Sequence, residues 1–160
     1  MLTVRKAGTD DVADMVHIFG HARAFMRRNG NHSQWSDSYP GRDEALSDIA
    51  AGNAYVVVAA GRTVGTFAFI VGDDPSYSVI DGHWLSDAPY GTIHRIASDG
   101  TCRGVADAAL GFCRPLADSI RIDTHADNAP MRRWIESRGF RYCGIVTVAD
   151  GTPRLAYQLG

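Results

Sequence analysis

Residues Tyr90 to Leu110, YGTIHRIASDGTCRGVADAAL, decide how the chain is read. Gly91 to Ser98 is an apolar, β-branched run that predicts a strand. Asp99 to Arg103 is a short polar turn, and a helix opens at Gly104. Strand, glycine turn and helix start in that order make a phosphate-binding geometry. Backbone N–H groups of the turn point outward, and the helix N-terminus adds partial positive charge. Gly100, Thr101, Cys102, Arg103, Gly104, Val105 and Ala106 form this turn and the first helical residues. Glycine turns precede many helices, so the segment alone leaves ordinary capping open beside phosphate binding.

Working outward, Leu2 to Lys6 alternates as a strand, and Thr9 is the expected cap of a helix with Asp10 and Asp11 in its first turn. Val12, Met15, Val16, Phe19, Ala22 and Met26 recur at helical spacing to about Arg28. Asn31 to Gly41 is polar and turn-rich but holds Trp35 and Tyr39, and Arg42 to Ala51 suits a second helix. Ala54 to Ala60 and Thr63 to Val71 read as a hairpin turning at Gly61-Arg62. The long connection Gly72 to Pro89 contains a strand candidate, Tyr77 to Ile80, and an aromatic loop from Asp81 to Tyr90. The helix from Gly104 toward Asp118 meets Pro115, which should kink or end it. Ile120 to Thr124 is a strand, a helix follows to Arg138, and Arg141 to Val148 and Pro153 to Leu159 are closing strands. The order β-α-α-β-β-β-α-β-α-β-β predicts an α/β fold, a mixed sheet with helices on both faces.

Composition bounds the function. The 160 residues fit one domain with a real core, 45% hydrophobic and 21% charged. A net charge of −2 gives no electrostatic reason to expect nucleic acid or an anionic membrane as partner. Three cysteines form no CxxC pair, and with no apolar leader at Met1 to Ala7 a cytoplasmic protein is expected. No metal-ligand spacing is evident.

The order of elements, with Gly104 and Ala106 in the turn, Asn128 after the next strand and Gly139-Phe140 at the end of its helix, resembles the GNAT superfamily of acyl-CoA-dependent N-acetyltransferases. Its turn has the pattern Gln/Arg-x-x-Gly-x-Gly/Ala. Here Thr101, Gly104 and Ala106 fill those positions; Thr101 departs from the pattern, with Arg103 two residues on as a source of charge. The resemblance implies a mostly antiparallel sheet with one splayed parallel pair over a single domain, residues 1–160. It also implies acetyl-CoA as co-substrate, with its pantetheine along Ile96, Ala97 and Ser98 and its pyrophosphate on the turn from Thr101 to Ala106. Asn128 carries over as a cofactor contact, beside its plain role as an N-cap.

Acetyl transfer needs a base, an oxyanion donor and a proton for the thiolate. His94, inside an apolar strand, is the first base candidate, against a histidine bonded to a neighbouring strand. Arg95 and Asp123 are charges expected to pair across neighbouring strands, with Asp123 alternatively holding the substrate ammonium or orienting His94. His125 is a second base or substrate contact, against a loop residue. The family's tyrosine acid falls on Ile135, which cannot donate a proton; Tyr142 is a substitute candidate, against a packing aromatic. Trp35, Trp84 and Tyr90, with Asp37, Asp81 and Asp87 nearby, are acceptor-site candidates, against loop-anchoring aromatics. The expected partner is a small-molecule or peptide amine, with homodimerisation left open. The alternatives are a non-catalytic acyl-CoA sensor of the same fold and an unrelated nucleotide binder.

Overall fold

A computed structural model describes all 160 residues. Eight strands form one sheet: β1 (Leu2–Lys6), β2 (Ala54–Ala59), β3 (Arg62–Val71), β4 (Asp81–Gly82), β5 (Tyr90–Ser98), β6 (Ser119–Thr124), β7 (Arg141–Thr147) and β8 (Pro153–Leu159). Their spatial order is β1-β2-β3-β5-β6-β8-β7-β4, and only β5 and β6 run parallel. Four α-helices cover it: α1 (Val12–Arg28), α2 (Arg42–Ala50), α3 (Val105–Cys113) and α4 (Ala129–Ser137).

The alternation of each strand divides the core by face. The α1 stripe of Val12, Met15, Ile18, Phe19, Ala22 and Met26 packs with Ala45, Ala54, Val56 and Ala97. On the opposite face Val57, Val64, Phe67, Ile93 and Ile122 pack against Val105, Ala109 and Leu110 of α3 and Ile135 of α4. Burying a side chain such as Phe19 or Ile18, each nearly inaccessible, contributes roughly 1.5–3 kcal/mol.

Several local expectations shift. Thr9 is not the cap of α1: it opens a 3₁₀ turn, Thr9–Asp11, headed by Gly8, whose N–H donates to the Asp11 carboxylate at 2.8 Å, and Asp11 is the N-cap of α1. The hairpin turns at Ala60-Gly61, both with positive φ, one residue earlier than expected. Tyr77 to Ile80 is not a strand: Pro75–Tyr77 is a 3₁₀ turn capped by Asp74, and the short strand is Asp81–Gly82 instead. α3 stops at Cys113, and Pro115 sits in a 3₁₀ turn, where its missing N–H costs least.

Two features position the site. β5 pairs with β6 only at Tyr90–Ser119, Gly91–Ile120 and Thr92–Arg121. Beyond that the strands separate. In the same stretch β5 bulges against β3: Thr66 faces Ala97 and Ala68 faces His94, so Phe67 alone opposes Arg95 and Ile96. Arg95 takes φ 51°, an uncommon conformation for a side-chain-bearing residue. Its guanidinium is held by Asp48 of α2 at 2.7 and 2.9 Å. The expected Arg95–Asp123 pair is therefore absent: the bulge turns Arg95 toward α2, and α2 supplies the carboxylate.

Candidate active site

A cleft of about 870 Å³ runs through the splay. Ile93 to Ile96 line it from β5, Ile122 to Thr124 from β6, and Asn128 and Met131 from α4. The β6-facing edge of β5 has no strand partner from Ile93 to Ser98. Its backbone groups are free to pair with an extended ligand, as an added strand would.

At the end of β5 the chain turns into α3. The Asp99 carboxylate accepts from the Thr101 N–H at 3.0 Å and its hydroxyl at 2.6 Å, while Arg62 donates to Thr101 Oγ1 at 2.8 Å. These bonds fix the start of the turn and leave the N–H groups of Cys102, Arg103 and Gly104 without a protein acceptor. Gly104, the N-cap of α3, has φ 90° and ψ 8°, a left-handed conformation suited to glycine. Opposite, Gly65 of β3 has no room for a Cβ, which would lie 2.4 Å from Val105 Cγ1; this lets the first turn of α3 sit close on the sheet. Unpaired amides at a fixed helix start fit a phosphate group.

On the α1–α2 face of the splay, His94 Nε2 lies 2.8 Å from Asp74 Oδ2. A carboxylate only accepts, so Nε2 carries the hydrogen in the neutral imidazole and Nδ1, which has no protein partner, keeps its lone pair. The hydrogen bond from His94 holds Asp74 below the usual carboxylate range, helped by the Ser76 N–H. Asp74 is further placed by Tyr90, whose hydroxyl oxygen accepts the Asp74 N–H at 2.7 Å. Beside this pair, the Tyr77 hydroxyl donates to Asp123 at 2.5 Å. Burial pushes the Asp123 carboxyl above its ordinary range despite that bond, and burial pushes the Tyr77 hydroxyl well above its own.

The Asn31–Gly41 loop closes the cleft. Gln34 Oε1 accepts from Asn31 and Asn128 side chains at 3.0 and 3.1 Å and from the His125 N–H at 3.3 Å. Asn128 also caps α4, accepting from the Met131 N–H at 3.3 Å. Trp35 packs edge-on to Phe19 while lining the cleft.

The expected site residues thus fall into two groups. His94, Ile96, Asp123, Asn128 and Trp35 line one cleft, and Thr101 to Ala106 form the turn at the end of β5. Ala97 and Ser98 continue the unpaired edge of β5, although the Ala97 side chain is buried beneath α1 and Ser98 Oγ accepts the Gly100 N–H. The others lie elsewhere. Tyr90 and Trp84 sandwich the Arg121 guanidinium at 3.8 and 3.9 Å, and Trp84 Nε1 donates to the Tyr77 carbonyl, so both aromatics anchor the long loop. His125 Nδ1 accepts the Asp127 N–H, outside the cleft lining. Tyr142 is over half exposed and packs edge-on to Tyr157, away from the cleft. Ile135 is fully buried in the α3–α4 core. Asp74, Tyr77, Gln34 and Arg154 were not anticipated. They come from two loops, a 3₁₀ turn and the late strand β8, and only the Asp-Pro-Ser run at Asp74, a capping signature, hinted at an ordered acid.

Comparison with known proteins gives the same reading. No family model matches the sequence, and a search of curated proteins found no match. Among solved structures, a GNAT-family acetyltransferase from Streptococcus agalactiae 2603 is 32% identical, with a TM-score of 0.86 covering 98% of this chain and 94% of that one. The ribosomal-protein-S18-alanine N-acetyltransferase of Escherichia coli (18% identity, TM-score 0.65, 99% and 93% covered) shares the fold. Ard1 of Thermoplasma volcanium does too (19%, 0.64, 99% and 96%). A chain this similar along its whole length to a GNAT acetyltransferase, with a splayed strand pair and open turn amides in place, belongs to the GNAT family of acetyl-CoA-dependent acyltransferases.

Proposed function

We propose that residues 1–160 form one N-acetyltransferase domain that moves the acetyl group of acetyl-CoA to a primary amine of a small molecule or peptide by direct attack. The observation that carries this is the continuity of one splay: an open strand edge and unpaired turn amides at β5, with a histidine–aspartate pair beside them.

The roles follow from the groups present. The amides of Cys102, Arg103 and Gly104 would hold the pyrophosphate, with the α3 dipole behind them. The free edge of β5 beyond Thr92 would pair with pantetheine, and an N–H of that edge would polarise the thioester carbonyl. Acetyl-CoA supplies an activated acyl group and a stable thiolate leaving group. His94 Nδ1 takes the proton of the incoming ammonium, and Asp74 holds the ring in the tautomer that leaves Nδ1 basic. Asp123 orients the amine. Ile135, buried in the core, offers no proton to a departing thiolate, which would be protonated by water.

A covalent cysteine route finds no support here. Burial pushes the Cys113 thiol up to about 12, and Cys143 is buried too. Three free cysteines fit a reducing, cytoplasmic setting. The buried Ile135 lends some weight to a second reading, a binding-only acyl-CoA sensor. Thiol release from acetyl-CoA across a panel of primary amines tests the choice: amine-dependent release supports transfer, while coenzyme binding without release supports the sensor.

A further inference from the structure

The cleft is lined by three arginines, and they differ in what neutralises them. Arg27 meets Asp37 at 2.6 Å and Arg95 meets Asp48 at 2.7 Å. Arg154 is the most buried of the three, its side chain 6% exposed, yet the one carboxylate within ion-pair distance is Asp150 at 3.9 Å, and Asp123 feels its charge only from farther off. Asp150 is itself engaged by the Thr152 N–H and hydroxyl, and it stands open to solvent. The other acceptors around Arg154 are neutral: Thr152 Oγ1 at 2.6 Å, the Pro153 carbonyl at 3.0 Å and the Gln34 carbonyl at 3.3 Å. Its Nε has no protein partner. A guanidinium withdrawn from water without a close counter-charge is costly to hold, and its planar donor fork matches a carboxylate.

Its place on the sheet points the same way. Asp123 pairs with Ala156, so Arg154, two residues along β8, projects from the same face. Diagonal neighbours of this kind lie roughly 7–8 Å apart. His94, Asp74 and Asp123 make one end of the acceptor side suited to hydrogen-bond an amine, and Arg154 makes the other end positive. Building on the acetyl-transfer reading, we propose that the acceptor is a free amino acid, its amine at His94 and Asp123 and its carboxylate on Arg154.

The test is steady-state thiol release with three matched acceptors: an amino acid, its carboxamide, and the amine lacking the carboxyl group. Across a panel of side chains, the amino acid should be preferred in kcat/KM. Arg154→Gln should raise its KM about 10- to 100-fold, the worth of a charge-assisted pair, while the carboxamide's KM and the affinity for CoA stay unchanged. Arg154→Lys, which keeps the charge and loses the fork, should fall between and guards against a folding defect in the first variant. Equal losses on all three acceptors, a preference for the carboxamide, or a changed CoA affinity would overturn the assignment. Should no amine release thiol, the acetyl-transfer reading fails by itself. Calorimetry of the amino acid against its carboxamide on the CoA-loaded protein then still decides the role of Arg154, with tighter amino-acid binding in favour and equal binding against.

Discussion

Asp74 Oδ2 and His94 Nε2 are 2.8 Å apart, and this contact ties the long β3–β5 connection to the strand that borders the splay. Both side chains are mostly withdrawn from solvent, so the bond fixes a tautomer as well as a position. Loss of a positioned general base costs 10²-fold or more. His94→Ala should therefore slow acetyl transfer by about 100-fold or more with CoA affinity nearly intact. Asp74→Asn should cost about 10- to 100-fold through His94 alone. Single-turnover kinetics beside CoA titration would check both, and a His94 variant with unimpaired turnover would remove the base from the account.

Asp123 makes a prediction about stability and pH. Its carboxyl is raised by burial, so the native state resists its ionisation. A group raised in this way contributes its full stability below the ordinary carboxylate range and loses it as pH climbs through the raised value. Asp123→Asn keeps an acceptor for Tyr77 and removes that liability. Its melting temperature relative to the wild type should thus improve as pH climbs from below the ordinary carboxylate range to above it. Differential scanning fluorimetry reads this, and a gap that does not change with pH would show that the carboxyl carries no such penalty.

Gly104 has a left-handed φ of 90° at the head of α3. Aspartate there adds roughly 1–2 kcal/mol of backbone strain and a negative charge facing the unpaired amides. Gly104→Asp should remain folded, with a lowered melting temperature, and should lose measurable CoA binding by calorimetry.

The cysteines offer a chemical reading of the same turn. Cys102 is partly open within it, whereas Cys113 and Cys143 are buried and burial raises both thiols. A maleimide should label Cys102 first in the native protein, and CoA should slow that labelling. Mass spectrometry of the labelled peptides distinguishes this from preferential labelling at Cys113 or Cys143.

Much of the architecture was legible because it is local. The hydrophobic stripe of α1, the hairpin, and the strand–turn–helix from Tyr90 to Leu110 are each written in neighbouring residues. The splay entered only through family resemblance, since nothing in the composition of β5 and β6 says where their pairing stops. The charge partners were harder still. Arg95 finds Asp48 on α2, and Tyr77 reaches Asp123 from a 3₁₀ turn that the residues suggested as a strand. Such pairs depend on how loops and helices are laid over the sheet, and no periodicity records that. Trp84 and Tyr90 looked like substrate aromatics for the same reason, when their use is to hold Arg121 between them.

The measurement closest to the centre of this account is a crystal structure of the protein with CoA. The pyrophosphate should accept from the amides of Cys102, Arg103 and Gly104, and the pantetheine should lie along β5 beyond Thr92 with its sulfur near His94. Coenzyme bound outside the β5–β6 splay, or a splay closed by the protein's own side chains, would contradict it.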